Sequence, residues 1–193
     1  MNKKIILIGC GGHTKVCAEL ILQNKSFIIA GVVCDNKNGV YNLPHIGFDK
    51  DLKKLRKKYK YALITIGQIK SAKKRVRLLN TLKNLNYSLP QIISKQSIVS
   101  KSAKIDNGTI IMDRAVIHQD VEIGSNSIIN TGAIIEHDVV IGNNTHVSTG
   151  VIINGNVKIG NNVFIGSGSI IVNNIKIKSN SFIKAGTLVK KDI

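Results

Sequence analysis

From Val99 to Val189 a β-branched aliphatic residue returns at every sixth position, beginning Val99, Ile105, Ile111 and Ile117 and ending Ile177, Ile183 and Val189. Sixteen consecutive hits in one register fit neither the 3.6-residue period of a helix nor the two-residue period of a flat strand. They fit a solenoid of very short rungs joined by tight turns, in which each coil buries its apolar face only against its neighbours. A second period sharpens the reading. IGSNS at Ile123, IGNNT at Ile141 and IGNNV at Ile159 lie eighteen apart, as do Gly132, Gly150, Gly168 and Gly186. Three hexads therefore make one coil, a triangular prism with distinguishable faces. Small or β-branched residues two before each repeat aliphatic (Ala115, Val121, Ser127, Ala133, Val139, Thr145, Val151) are expected to fill the interior corners, with polar residues and glycine at the turns.

The 193 residues leave room for a second domain before the solenoid, and we place the division at 1–93 and 94–193. No apolar run of eighteen residues and no signal-peptide pattern is present, so the sequence reads as a cytoplasmic protein with no membrane partner. Cys10, Cys17 and Cys34 are an odd number without metal spacing, and are expected to be reduced packing residues. The formal charge of +17 is concentrated in the first half, +15 on residues 1–98 against +2 on residues 99–193. Its lysines fall where helix faces should be, without interleaved aromatics or a recognition motif, so nucleic acid is not expected as a partner. Such a field still draws in phosphorylated ligands.

The chain opens with KKIILIG, a short apolar run, followed by GCGGHTKV and the amphipathic HTKVCAELILQN. Strand, glycine-rich turn and helix form the opening of a nucleotide-binding βαβ unit, where backbone N–H groups at the helix start can hold a phosphate. Thr14 stands at the sixth position of the dinucleotide fingerprint in place of glycine, which disfavours NAD. FIIAGVVCDN reads as a second strand stopping at Asp35, and residues 36–60 as a connection with a short helix on DKDLKKLRKKYK. YALITIG reads as a third strand ending at Gly67, SAKKRVRLLNTLKNLN as a helix with Val76, Leu79, Leu82 and Leu85 on one face, and LPQIIS as a fourth strand or bridge.

GCGGHTKV, the CDN after strand two, ITIG, SIVSKSAKI, and above all NTGAIIEHDVVIG with NTHVSTG resemble the sugar acetyltransferases that include sialic acid O-acetyltransferases and UDP-N-acetylbacillosamine N-acetyltransferase. The resemblance spans the whole chain. It implies a small Rossmann-like α/β domain that holds a sugar nucleotide, then a left-handed parallel β-helix of hexapeptide repeats that forms a homotrimer. Acetyl-CoA would be the co-substrate, lying between neighbouring β-helices, with no metal. By the same resemblance His137 would be the catalytic base and Asp138 its orienting acid, while His146, Ser167, Ala185, Gly150 and Gly168 would meet acetyl-CoA. Gly11, Gly12, His13, Asp35, Asn36, Gly67 and Asn130 would meet the nucleotide-linked amino sugar.

The activity these residues imply is N-acetylation of a nucleotide-linked amino sugar, a UDP-4-amino-4,6-dideoxyhexose, in surface glycan synthesis. An amino-sugar ammonium must lose a proton before its nitrogen attacks a thioester, and imidazole has a suitable pKa for that task. Alternatives are O-acetylation of a sialic acid, a metal site built from His118, His137 and His146 across subunits, and a non-catalytic sugar-nucleotide scaffold. Outward-facing Ile110, Val116, Ile128, Ile134, Val140, Ile152, Phe164, Ile170 and Phe182 are more apolar than a solvated face needs, which points to an oligomer interface.

Overall fold

The computed structural model describes residues 3–36, 40 and 42–193, so part of the connection after Asn36 lies outside the described residues. The chain divides into two compact units, residues 1–67 with 73–90, and residues 68–72 with 91–193.

In the first unit β1 (Lys4–Ile8) leads into α1 (Gly12–Asn24), then β2 (Ile28–Val33), β3 (His45–Gly47), the short α2 (Leu52–Leu55), β4 (Tyr61–Ile64) and α3 (Lys73–Asn84). The four strands form one parallel sheet in the order β3-β2-β1-β4. Chain order reverses at β1, so the crevice past the carboxyl ends of β1 and β4 is the switch point where open α/β sheets bind ligands. Residues 5–8 of β1 are fully buried, because helices cover both faces of a parallel sheet.

The fourth strand of this sheet is β3, and a three-residue strand containing glycine carries no periodicity to read; LPQIIS is the bridge, its Ile92–Ile93 pairing with Ile110–Ile111 of the β-helix. One sequence expectation needs correction here. The buried face of α3 is Arg75, Leu78, Leu79 and Leu82, whereas Val76 and Leu85 are only half-buried. An arginine is not expected on an apolar stripe, and its partners lie on another element. Its guanidinium donates to the carbonyls of Ile64 (3.3 Å) and Ile66 (2.6 Å), closing off the end of β4.

The second unit is the left-handed parallel β-helix. Each of its sixteen strands from β6 (Ile98–Val99) to β21 (Leu188–Val189) is two residues long and ends on a repeat aliphatic. They stack with β5 (Ile92–Ile93) into three sheets, and each rung pairs with the residue eighteen away, as Ile135 does with Ile153. The inward residues form one continuous core from Ile111 to Val189. Ala115, Val121, Ser127, Ala133, Val139, Thr145 and Val151 are all buried in the corners. The third residue of nearly every turn is left-handed, with φ between 54° and 73° from Gly108 to Gly186. Asn, Asp and Gly tolerate that conformation, which explains the eighteen-residue spacing of these residue types.

The outward residues give each sheet its own chemistry. One carries Lys104, Glu122, Val140, Lys158 and Lys176 and is charged. A second, the aliphatic sheet, carries Ile98, Val116, Ile134, Ile152, Ile170 and Leu188. The third, the histidine sheet, carries Ile92, Ile110, Ile128, His146, Phe164 and Phe182. Of the residues expected at an oligomer interface, Ile110 and Ile128 are already buried within one chain, and Val140 sits between Glu122 and Lys158. The contiguous exposed apolar surface is the aliphatic sheet, with Ile98 67% and Leu188 51% exposed at its ends.

Candidate active site

The carboxyl edge of the first unit's sheet opens into a cavity of about 480 Å³. Gly11, Gly12, His13, Asp35, Asn36 and Gly67 all line it, so the six positions expected in this domain converge. Gly9 turns the chain at φ 135°, its N–H held by the carbonyl of Val33 at 2.9 Å. A Cβ there would press on Ile66, Thr14 and Thr65 at 3.0–3.1 Å, so no other residue fits. Thr14 now has a reason: its hydroxyl reaches the carbonyl (3.2 Å) and hydroxyl (3.0 Å) of Thr65, tying α1 to β4. Gly11 caps α1 without a side-chain hydrogen bond, and the first turn has no acid. The first N–H groups of the helix therefore face the cavity as anion donors.

The further lining residues include Cys10 and Cys34, and also Asp49 and Lys74, which were not anticipated. Lys74 belongs to the first turn of α3 and adds positive charge to the mouth. Asp49 pairs with Arg77 at 3.1 Å. The expectation of three reduced cysteines is overturned: Cys10 and Cys34 form a disulfide with Cα atoms 6.0 Å apart, and only Cys17 is free. The reason lies in strand register. Ile8 and Val33 are paired across β1 and β2, so the residues just past both strand ends come together despite being 24 apart in sequence. Buried Cys17 has its thiol pushed up to about 12 by desolvation.

In the β-helix, Glu136, His137 and Asp138 make the corner between the aliphatic and charged sheets, after β12 (Ile134–Ile135) and before β13 (Val140–Ile141). Asp138 is in the left-handed conformation, φ 62°, and its carboxylate turns back to accept from His137 Nδ1 at 2.7 Å. That hydrogen bond raises the pKa of His137 above its ordinary value against an opposing desolvation effect, with lesser contributions from the charges of Asp138 and Glu136. With Nδ1 as donor, Nε2 holds the lone pair. Glu136 lies 3.8 Å from Nε2 of His118. Among the described residues, no three His, Cys, Asp or Glu side chains converge as metal ligands would.

His146 lies elsewhere, on the histidine sheet, and is only 8% exposed. Its Nδ1 is 2.6 Å from the carbonyl of Gln68, and its Nε2 is 3.4 Å from the amide nitrogen of Asn130. Asn130 is oriented by the N–H of Thr131, which donates to Oδ1 at 2.8 Å. Gln68 is buried and donates to the carbonyl of Val163 at 3.3 Å, a role that nothing in the local sequence marks. The imidazole of His146 meets Phe164 edge-on at 5.4 Å, and Phe164 stacks on Phe182 at 5.1 Å. Asn130, Ser167, Ala185 and the left-handed Gly150 and Gly168 line the corner between the histidine and aliphatic sheets. The expected residues of the β-helix thus form two groups, on the two corners that flank the aliphatic sheet.

Residues 4–82 match the family of the PglD N-terminal domain, and residues 102–137 and 156–191 match the bacterial transferase hexapeptide family of six repeats. The chain thus joins a PglD-type N-terminal domain to a hexapeptide-repeat transferase domain. It is similar to a His-to-Ala variant of GDP-perosamine N-acetyltransferase from Caulobacter crescentus, solved in complex with CoA and GDP-perosamine. The TM-score is 0.94 at 28% identity, over 98% of this chain and 90% of that one. It is also similar to the acetyltransferase domain of PglB from Neisseria gonorrhoeae, solved with acetyl coenzyme A, with a TM-score of 0.94 at 29% identity over 100% of this chain and 93% of that one. WeeI from Acinetobacter baumannii shares the fold, with a TM-score of 0.78 at 19% identity over 98% and 97% of the two chains. No curated protein matches this acetyltransferase in sequence.

Proposed function

We propose that the protein transfers the acetyl group of acetyl-CoA to the amino group of a nucleotide-linked amino sugar, in our reading a UDP-4-amino-4,6-dideoxyhexose used for surface glycan. The observation that carries the mechanism is the exposed His137 imidazole held by Asp138 at 2.7 Å. Nε2 takes a proton from the sugar ammonium, the freed nitrogen attacks the thioester carbonyl and the C–N bond forms; the C–S bond then breaks, and CoA leaves as its thiol with the second proton that the nitrogen sheds on becoming an amide. Asp138 stabilises the imidazolium while the proton is held. Transfer is direct, in a ternary complex, since no nucleophile for an acetyl-enzyme stands in the Glu136-His137-Asp138 motif.

The cavity of the first unit suits the nucleotide. The open start of α1 and Lys74 provide for the diphosphate, and Asp35 with Asn36 for the base. The aliphatic sheet supports a homotrimer. Three prisms that turn this face toward a common axis bring the His137 corner of one chain beside the His146 and Asn130 corner of the next, because those corners flank the buried face. Acetyl-CoA then lies between neighbouring chains along Ser167, Ala185, Gly150 and Gly168. Among the described residues no helix is long and apolar enough to cross a membrane, and the reading places the reaction in the cytoplasm.

The test is thiol release from acetyl-CoA with UDP-, GDP-, dTDP- and CMP-linked amino sugars and free sialic acid. Release with a UDP-linked 4-amino sugar supports the full reading, and release with a GDP-linked one changes only the base. Release with sialic acid alone overturns N-acetylation in favour of O-acetylation, and silence with every acceptor overturns the enzymatic reading.

A further inference from the structure

One turn glycine of the β-helix is not required by its own backbone. Gly155 follows Ile153 by two positions, one coil after His137, and its φ is outside the left-handed range. The same place in other coils is filled by Lys101, Gln119, His137, Asn173 and Lys191, all with side chains. The backbone of this column therefore does not require glycine, and only the coil above His137 has one. A Cβ on Gly155 would lie 2.8 Å from both Cε1 and Nε2 of His137, well inside contact distance, and 3.4 Å from Nδ1. The two coils are fixed in register here by the N–H of Asn156 on the carbonyl of His137 at 3.0 Å, so the ring and not the backbone must give way.

We propose that Gly155 is a positioning residue, the seat that lets the His137 imidazole lie flat against the next coil with Nδ1 on Asp138 and Nε2 presented for proton transfer. This rests on the reading of His137 as the base. The ring is exposed and can swing aside at little cost, so filling the seat disturbs the site without disturbing the fold. A position that separates activity from stability in this way is uncommon inside a packed coil.

The experiment compares Gly155→Ala, His137→Ala, the double variant, and Asn173→Ala as a control from the same column. Three readouts are taken: thermal midpoint, kcat with KM for both substrates, and the NMR titration of the His137 ring. Gly155→Ala is expected to keep or slightly raise the thermal midpoint, since alanine restricts the unfolded chain. It is expected to lower kcat about ten- to a hundredfold with both KM values held. Its His137 ring should titrate at lower pH as the ring leaves Asp138 and Glu136, the acidic groups beside it. The double variant should be no slower than His137→Ala alone, because Gly155 acts only through the ring. An unchanged His137 titration in Gly155→Ala, or losses that multiply in the double variant, overturns the proposal. If His137→Ala keeps full turnover the base reading fails instead, while the titration still decides whether Gly155 seats the ring.

Discussion

Two neighbouring residues on one two-residue strand, Ile152–Ile153, separate the prism's core from its proposed interface. Ile153 is fully buried in the continuous core, and Ile152 points outward from the aliphatic sheet between Ile134 and Ile170. Ile153→Ala removes three carbons, worth about 2.4 kcal/mol at ~0.8 kcal/mol each. The cavity left behind raises the cost toward about 3–5 kcal/mol, since stacked coils above and below prevent collapse. At roughly 2–4 °C per kcal/mol, the melting transition should fall by about 6–20 °C whatever the protein concentration. Ile152→Lys leaves the core intact and places a charge in the proposed three-fold contact. It should yield monomers by sedimentation velocity, with secondary structure retained by circular dichroism and a melt that no longer depends on concentration. The reasoning is refuted if Ile152→Lys stays trimeric, or if Ile153→Ala costs less than about 1 kcal/mol.

Asp138→Asn keeps the shape of the corner but removes the charge and weakens the hydrogen bond that raises the His137 pKa. On the proposed mechanism the base works unprotonated, so the acid limb of kcat against pH should lie above the ordinary histidine value of about 6.5 in the native enzyme and move to lower pH in the variant; a limb that stays in place contradicts the pairing. Asp35→Ala, at the cavity mouth, should raise KM for the sugar nucleotide about tenfold and leave KM for acetyl-CoA unchanged. Equal effects on both substrates would place Asp35 outside the nucleotide site.

Much of this architecture is legible because its determinants are local and periodic. The register from Val99 to Val189 places all sixteen rungs, and the eighteen-residue spacing of Gly, Asn and Asp marks the left-handed turn positions. The glycine-rich turn after β1 likewise announces its own edge of the sheet, and Asp35 and Gly67 join it there. What escapes is set by residues far apart in sequence. The Cys10–Cys34 pair depends on the register of β1 against β2, and Arg75 is acceptable on the buried face of α3 only because the carbonyls at the end of β4 receive it. Gln68 holds His146 from 78 residues away, with its main chain, which no side-chain pattern encodes. Gly155 looks like any turn glycine until the ring of His137 is laid against it. His137 and Asp138 are both picked out by resemblance; the geometry adds the 2.7 Å contact between them and the closeness of Gly155 to the ring.

The central claim is that the corner imidazole removes the proton that allows the amine to attack, and turnover of His137→Ala measures it most directly. With a nucleotide-linked amino sugar and acetyl-CoA both saturating, the variant should lose about a hundredfold or more in kcat, keep its affinity for both ligands, and keep its melting temperature. A variant that turns over at near the native rate would contradict the account.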